Sequence, residues 1–340
     1  MKTIFAVFLI ALVSTYWLTP WARELARRKG VLAIPDPRRV HKSPTPLWGG
    51  IAIYLGALIA IAFGLGRLSL LAPSLVVFLD RALPVIGIVA VGGLVLAMGL
   101  LDDRANLSPK VQAGFLLLAG LLVQIFGVQI VGFTNPFAQS TSGGFDASRY
   151  VPLGWLAVPV TAIWIFVVSK TMDTIDGIDG LAAGVGAIAG MTLALLALQT
   201  ANATNQPYPH WLIAIAAAAI TGSAAGFLRH NFNPATVFMG TGGAQFLGFM
   251  LASLSILGAF KAAAAFSILV PVLVFGLPLL DAAVVVVRRA LSGQPIAQAD
   301  KRHIHHQLLE RGLNQRQAVI VLYAVAAAFG ALALLLTRRG

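Results

Sequence analysis

The chain has 340 residues, 58% of them apolar and only 11% charged, with a mean hydropathy of +0.86 and a net charge of +12. A water-soluble domain of this size carries far more charge, so the composition excludes a soluble enzyme and makes the bilayer the solvent. There is no cysteine, which excludes disulfides and leaves the redox compartment unread.

A helix needs roughly 20 apolar residues to cross a ~30 Å hydrocarbon core. Runs that meet this length fall at 4–19, 48–66, 84–101, 111–131, 152–169, 181–199, 211–228, 242–260, 264–287 and 318–337. The run at 69–79 is too short to cross and holds Pro73, so it reads as interfacial. Nothing alternates as the strands of a membrane barrel would. The expectation is an all-α integral membrane protein, a bundle of about ten (ten or eleven) transmembrane helices forming one polytopic domain over 1–340.

The first run could pass for a secretory signal, but it continues into Trp17, Pro20, Arg23, Arg27, Arg28 and Lys29. Positive charge after the apolar stretch argues for a retained helix with its N-terminus outside. The loops 20–47, 102–110, 170–180, 229–241 and 288–317 then fall on the cytoplasmic side, and they hold 17 of the 24 Lys and Arg residues. The basic excess therefore reads as membrane topology and as attraction to anionic lipid or phosphate, not as a nucleic-acid footprint. Nine of the twelve acids lie on the same side. The topology rule does not ask for inner acids, and carboxylates at the lip of a bundle are costly unless they bind cations or polar ligands. A site on the cytoplasmic face follows.

Four constellations carry chemistry. Asp102-Asp103, at the end of the third run, is an adjacent pair that holds a divalent cation or a shared proton, unless one carboxylate merely caps a loop. Asp173, Asp176 and Asp179, interleaved with Gly177 and Gly180, read as a bent loop entering the sixth helix, one of them serving as an N-cap. Arg229 to Ala235 followed by Phe238-Met239-Gly240-Thr241 is a polar turn closing on a Gly-rich helix start, which suits a phosphate or nucleotide. Glycine at that point also serves close helix packing. Finally, His303, His305 and His306 beside Arg302 could bind metal or hold a pyrophosphate. Asp281 is the one acid inside an expected span and is a functional candidate by position.

These blocks, in this order and over nearly the whole chain, resemble the polyprenyl-phosphate N-acetylhexosamine-1-phosphate transferases, which start bacterial O-antigen, teichoic acid and peptidoglycan lipid-linked synthesis. The likeness rests on Pro35, Arg38-Arg39-Val40-His41 and Pro44 to Gly50; on Leu101-Asp102-Asp103 with Leu107-Ser108-Pro109; and on Asp176-Gly-Ile-Asp179-Gly. It continues through Asn231-Phe-Asn233-Pro234, Phe238-Met-Gly240, and Gly276 to Asp281 with His303-Ile-His305-His306, the last similar to the O-antigen and teichoic acid branch. The resemblance implies transfer of sugar-1-phosphate, by family frequency N-acetylglucosamine-1-phosphate, from a UDP-N-acetylhexosamine to polyprenyl (undecaprenyl) phosphate. It further implies Mg²⁺ (or Mn²⁺), a bacterial inner-membrane location and possible homodimers. By residue, Asp102 and Asp103 would position or deprotonate the lipid phosphate beside the metal. Asp176, Asp179, Asn231 and Lys42 would engage the nucleoside side, and His303, His305 and His306 the diphosphate. Phe238, Arg302 and Lys170 would complete the substrate contacts, and the groove between helices five, eight and nine would take the prenyl tail.

The chain departs from that family's pattern at several positions. Thr241 stands where an Asp thought to ligate magnesium is usual, and Lys170 and Asp173 replace an Asn-x-x-Asn. Ala33 replaces an Asp, and Gln112 a Lys. Asp173 would then be the substitute metal ligand, or the Lys170 ammonium would partly replace the cation. A divergent homologue that binds these ligands without transfer is the first alternative. An intramembrane prenyltransferase, suggested by Asp173-x-x-Asp176-x-x-Asp179, is a second, but a second Asp-rich loop is missing. A transporter would show internal repeats, and none is seen.

Overall fold

Long apolar segments in lipid must satisfy their backbone groups internally, and this chain does so as helices. The computed structural model describes residues 1–35, 43–70, 72, 74–134, 150–204, 207–258, 269–293 and 303–338. Twelve α-helices follow one another among them: α1 Lys2–Arg28, α2 Gly49–Ser69, α3 Leu75–Ala105, α4 Pro109–Leu122, α5 Ala157–Ile175, α6 Leu181–Ala203, α7 Tyr208–Asn231, α8 Gly240–Leu257, α9 Leu269–Val274, α10 Gly276–Leu291, α11 Ile304–Glu310 and α12 Gln315–Arg338. Among the described residues, nine stretches are long and apolar enough to span a membrane. The chain is a multi-pass helical membrane protein. Among the described residues, strand structure is confined to two small antiparallel pairs, Leu32–Ala33 with Thr45–Pro46 and Gly132–Thr134 with Tyr150–Pro152.

Two expectations change in detail. The run 69–79 is not a separate interfacial piece. Ser74 caps α3, its Oγ accepting from the Val77 N–H at 3.3 Å, and the helix runs 31 residues through Pro84. At 1.5 Å per residue that is about 46 Å, longer than the hydrocarbon core, so its end projects beyond it. The expected span 264–287 is not one continuous helix in its described part. It breaks between α9 and α10 at Phe275, with Pro271 and Pro278 on either side. Proline lacks the N–H that a continuous ladder requires.

The core sits around α8, where every residue except Thr241 and Leu257 is buried. α3 and α5 pack directly on it, α2 and α6 more lightly, while α7 is held mainly by α1, α2 and α6. Glycine sets the closeness: Gly50 lies against Gly243, Gly99 against Gly242 and Gly248 against Ser169, and a Cβ at any of them would strike the opposing backbone. Membrane helices lack a hydrophobic force between them, so small residues that let backbones touch are what brings them together. That packing draws the end of α3 and the end of α5 to the start of α8.

Candidate active site

The site begins where α3 stops. Asn106 turns left-handed (φ 51°) and returns its N–H to the Asp102 carbonyl at 2.8 Å. The chain then reverses into α4, capped by Ser108 with Pro109 in the first turn. Asp102 folds its carboxylate back over this corner, Oδ1 accepting from the Leu107 N–H at 2.8 Å and from Gln112 Nε2 at 2.9 Å. Asp103 faces the other way, its Oδ1 accepting the Thr241 N–H at 2.8 Å. The first amides of a helix lack internal partners and favour an anion, so α8 supplies this carboxylate with both. Gly240 permits the approach. It takes φ +75°, and a Cβ there would collide with the Asp103 carboxylate. Asp103 Oδ2 is buried and has no hydrogen-bond partner among the described residues.

The second element is the loop from α5 to α6. Asp173 lies in the last turn of α5, Asp176 at its C-cap, and Gly180 opens α6 with φ +84°, a conformation glycine adopts without strain. Asp179 Oδ2 accepts from Asn233 Nδ2 (2.9 Å) and the Ala235 N–H (3.0 Å), which ties the loop to the α7–α8 turn. Asn231, 1% exposed, donates to the Val237 carbonyl and accepts from the Gly180 N–H. Both ends of its amide are thus spent on the protein's own backbone. Tyr323 on α12 donates to the Gly180 carbonyl at 2.6 Å. The Asp176 carboxyl is pushed up to about 8, by burial first and then by the charges of Asp173, Asp103 and Asp179.

The third element is a chain of side chains across α4, α5 and α8. Lys170 Nζ donates to Gln112 Oε1 at 2.9 Å and to Asp173 Oδ2 at 2.6 Å, and Gln245 Nε2 reaches the same Asp173 oxygen at 3.3 Å. The fourth is the histidine arm. His303 precedes α11 and meets Asp281 of α10, while His305 stacks parallel to His303 and tilts against His306, with centroids 5.6 and 4.3 Å away. His305 is 2% exposed and its ring packs on Gly177, where a Cβ would strike it. Burial, then the neighbouring His306 and His303, hold it down to about 3, so it is neutral.

These elements enclose a cavity of about 310 Å³, a volume at the lower end for small-ligand sites. Asp102, Asp103, Asp173, Asp176, Asp179, Asn231, Phe238, Thr241 and His306 all line it, with Ala33 and Asn106. The five loops expected on one side therefore converge on one chamber. Of the other expected site residues, Lys170 stands behind Asp173, and His303 and His305 stand behind His306. Lys42 and Arg302 lie outside the described residues, as do Arg38, Arg39, His41 and Asp300. Sequence reasoning missed Gln245, Asn106 and Tyr323. Gln245 had a signal: a large polar side chain one turn beyond Thr241 in a helix whose other polar residues are only Ser253 and Ser255.

No three acids or histidines among the described residues converge into a preformed metal cage. Magnesium does not require one, since it takes hard oxygens, keeps several waters and commonly uses one or two carboxylates plus substrate phosphates. Asp103, with its buried unpartnered oxygen, and the neighbouring Asp102 and Asp176 are the donors that fit such an ion.

Comparison with known proteins places the chain among its relatives. The profile of glycosyl transferase family 4 matches residues 85–259. A Bacillus subtilis (strain 168) protein named a probable undecaprenyl-phosphate N-acetylglucosaminyl 1-phosphate transferase is 33% identical over 99% of this chain and 86% of its own. A decaprenyl-phosphate N-acetylglucosaminephosphotransferase of Mycolicibacterium smegmatis is 31% identical, covering 93% of this chain and 78% of its own. An undecaprenyl-phosphate alpha-N-acetylglucosaminyl 1-phosphate transferase of Escherichia coli (strain K12) is 24% identical over 93% and 79%. A carboxylate-lined chamber at one end of a helical bundle and a full-length likeness to these proteins lead to one assignment: the chain belongs to glycosyl transferase family 4.

Proposed function

We propose that the chain transfers N-acetylglucosamine-1-phosphate from a UDP-linked donor to polyprenyl phosphate in the bacterial inner membrane, with the chamber on the cytoplasmic side. The observation that carries this reading is the meeting of Asp102-Asp103, the Asp176–Asp179 loop and His306 around one cavity at the lip of the bundle. A lipid phosphate held at that lip can meet a water-soluble nucleotide sugar there and nowhere deeper.

In the reaction an oxygen of the lipid phosphate attacks the phosphorus bonded to the sugar, the bond between the two donor phosphates breaks, and UMP leaves with the released electron pair. Both substrates are anions, so charge must be offset where they meet. A bound Mg²⁺ or Mn²⁺, held by Asp103 with Asp102 or Asp176, would supply that positive charge. Thr241 holds one Asp103 oxygen by its backbone amide, and the other is buried beside Gly240 with no hydrogen-bond partner among the described residues. Asp179 and Asn231 act on the protein itself, fixing the loop that forms one wall. His306 is the member of the histidine arm that reaches the chamber.

A second reading, a homologue that binds the substrates without transfer, is favoured by one observation: the Lys170–Asp173 ion pair stands beside the site where Thr241 replaces an acid. Incubation of the purified chain with undecaprenyl phosphate and labelled UDP-N-acetylglucosamine separates the two. Label in the lipid phase supports transfer, and UMP binding without label supports the second reading.

A further inference from the structure

Three positions at which the chain departs from the family pattern, 112, 170 and 173, are joined to one another. The Lys170 ammonium donates to Gln112 Oε1 and Asp173 Oδ2, and Gln112 in turn donates from Nε2 to Asp102 Oδ1 (2.9 Å) and to the Leu107 carbonyl (3.3 Å). An ammonium can only donate, and an amide has one accepting and one donating end. With Lys170 present, the oxygen of Gln112 must face α5 and its NH₂ must face Asp102. From the other side the Asp102 carboxylate and the Leu107 carbonyl, which can only accept, ask for the same orientation, so the amide is held between the two. The lysine thereby anchors the amide that, together with the Leu107 N–H, holds Asp102 Oδ1.

The same ammonium acts on Asp173. That carboxylate lines the cavity, yet its Oδ2 is held by Lys170 and by Gln245 from α8. Its side chain is only 16% exposed and that of Lys170 35%, so the pair is partly shielded from solvent. A carboxylate paired with a fixed cation is a weakened ligand for a second one.

We propose that Lys170 is a positioning residue of the transfer site: through Gln112 it steadies the hydrogen-bonded Asp102 carboxylate, and directly it withholds Asp173 from a bound cation. Its effect on catalysis rests on the transferase reading, whereas its effect on cation binding does not. The contact is also transposable. Gln112 and Lys170 meet end to end, so exchanging them leaves one ammonium and one amide in touch. The ammonium then donates to Asp102 from α4, and the amide donates to Asp173 from α5.

The test uses the full chain in nanodiscs: wild type, Lys170→Met, and the exchange Gln112→Lys with Lys170→Gln. Mn²⁺ affinity is read by electron paramagnetic resonance without substrates, and kcat and KM by labelled transfer. Lys170→Met should bind Mn²⁺ about threefold or more tightly, because a nearby positive charge is gone and Asp173 is freed. Its kcat should nonetheless fall about 10- to 100-fold, the usual consequence of losing a residue that orients a ligand. The exchange should recover most of that kcat. A merely structural lysine would show affinity, rate and melting temperature falling together.

Unchanged Mn²⁺ affinity and kcat in Lys170→Met would overturn the proposal. So would an exchange variant that melts like wild type yet is as slow as Lys170→Met. If Lys170→Met does not fold, the exchange variant decides alone: folded and active supports the proposal, folded and inactive overturns it. If wild type itself transfers nothing, the transferase reading fails, and the order of Mn²⁺ affinities still decides the role of Lys170.

Discussion

The Nδ1 of His303 lies 2.7 Å from Oδ2 of Asp281, and the other oxygen of that carboxylate accepts the Ile304 N–H at the same distance. Asp281 is 3% exposed, on a helix whose neighbours are apolar. An acid from α10 thus caps α11 and orients the first ring of the histidine arm. Asp281→Asn keeps the shape but loses the charge, and hydrogen bonds to charged groups are worth about 1.5–3 kcal/mol. The expected outcome is a loss of thermal stability of that order, with transfer reduced because His306 follows from the same short helix. Calorimetry on the purified variant, paired with a transfer assay, checks both.

Gly240 tests the seat of Asp103. Its positive φ and the carboxylate lying where a Cβ would stand make Gly240→Ala unfavourable twice over. Backbone strain of this kind costs about 1–3 kcal/mol. The variant should melt lower than wild type and transfer poorly, whereas Gly114→Ala, at a glycine with open space around it, should change neither.

Asn231 separates wall from ligand contact. Removing its amide leaves the Gly180 N–H and the Val237 carbonyl without that partner, at about 1–3 kcal/mol each where they are buried. Asn231→Ala should therefore lower the unfolding midpoint. A variant of wild-type stability with only a raised KM for the nucleotide sugar would place the amide in the substrate site instead.

Acidity gives two signatures of opposite sign. The folded Asp176 carboxyl sits at about 8 against an ordinary 3.8, so the folded state holds a proton that the unfolded chain has released. That contribution is complete below pH ~4 and disappears as pH rises through about 8. Relative to Asp176→Asn, the metal-free protein should lose stability between pH ~4 and about 8. Added Mg²⁺ should stabilise it more at the alkaline end, where the proton no longer competes. His305, held at about 3 instead of 6.5, behaves the other way. The unfolded chain takes up the proton first, so stability is lost as pH falls below ~6.5, and His305→Gln should flatten that limb.

The bundle and most of the chamber were legible in the sequence, because hydropathy and local motifs carry them. Asp102-Asp103 and the Asp176–Asp179 loop are contiguous pieces whose chemistry shows in their own residue types. What connects them is not contiguous. Lys170, Gln112 and Gln245 are linked, through Asp173, across α4, α5 and α8, where Gly120 lets α4 lie against α5 and Gly248 lets α5 and α8 touch, and no local pattern announces which polar side chain in one apolar helix faces another. The beginning of α3 was misplaced because Pro73 and Pro84 bracket a segment that Ser74 nonetheless caps as helix. The role of Asp281 as a cap for α11 was hidden by its distance in sequence from Ile304.

The measurement that tests the account most directly is transfer of label from UDP-N-acetylglucosamine to undecaprenyl phosphate, with and without Mg²⁺, by wild type and by Asp103→Asn. Metal-dependent labelling of the lipid by wild type, absent from a normally folded Asp103→Asn, is the predicted result. Labelling that persists at the wild-type rate in Asp103→Asn would contradict the assignment of the chamber as the active site.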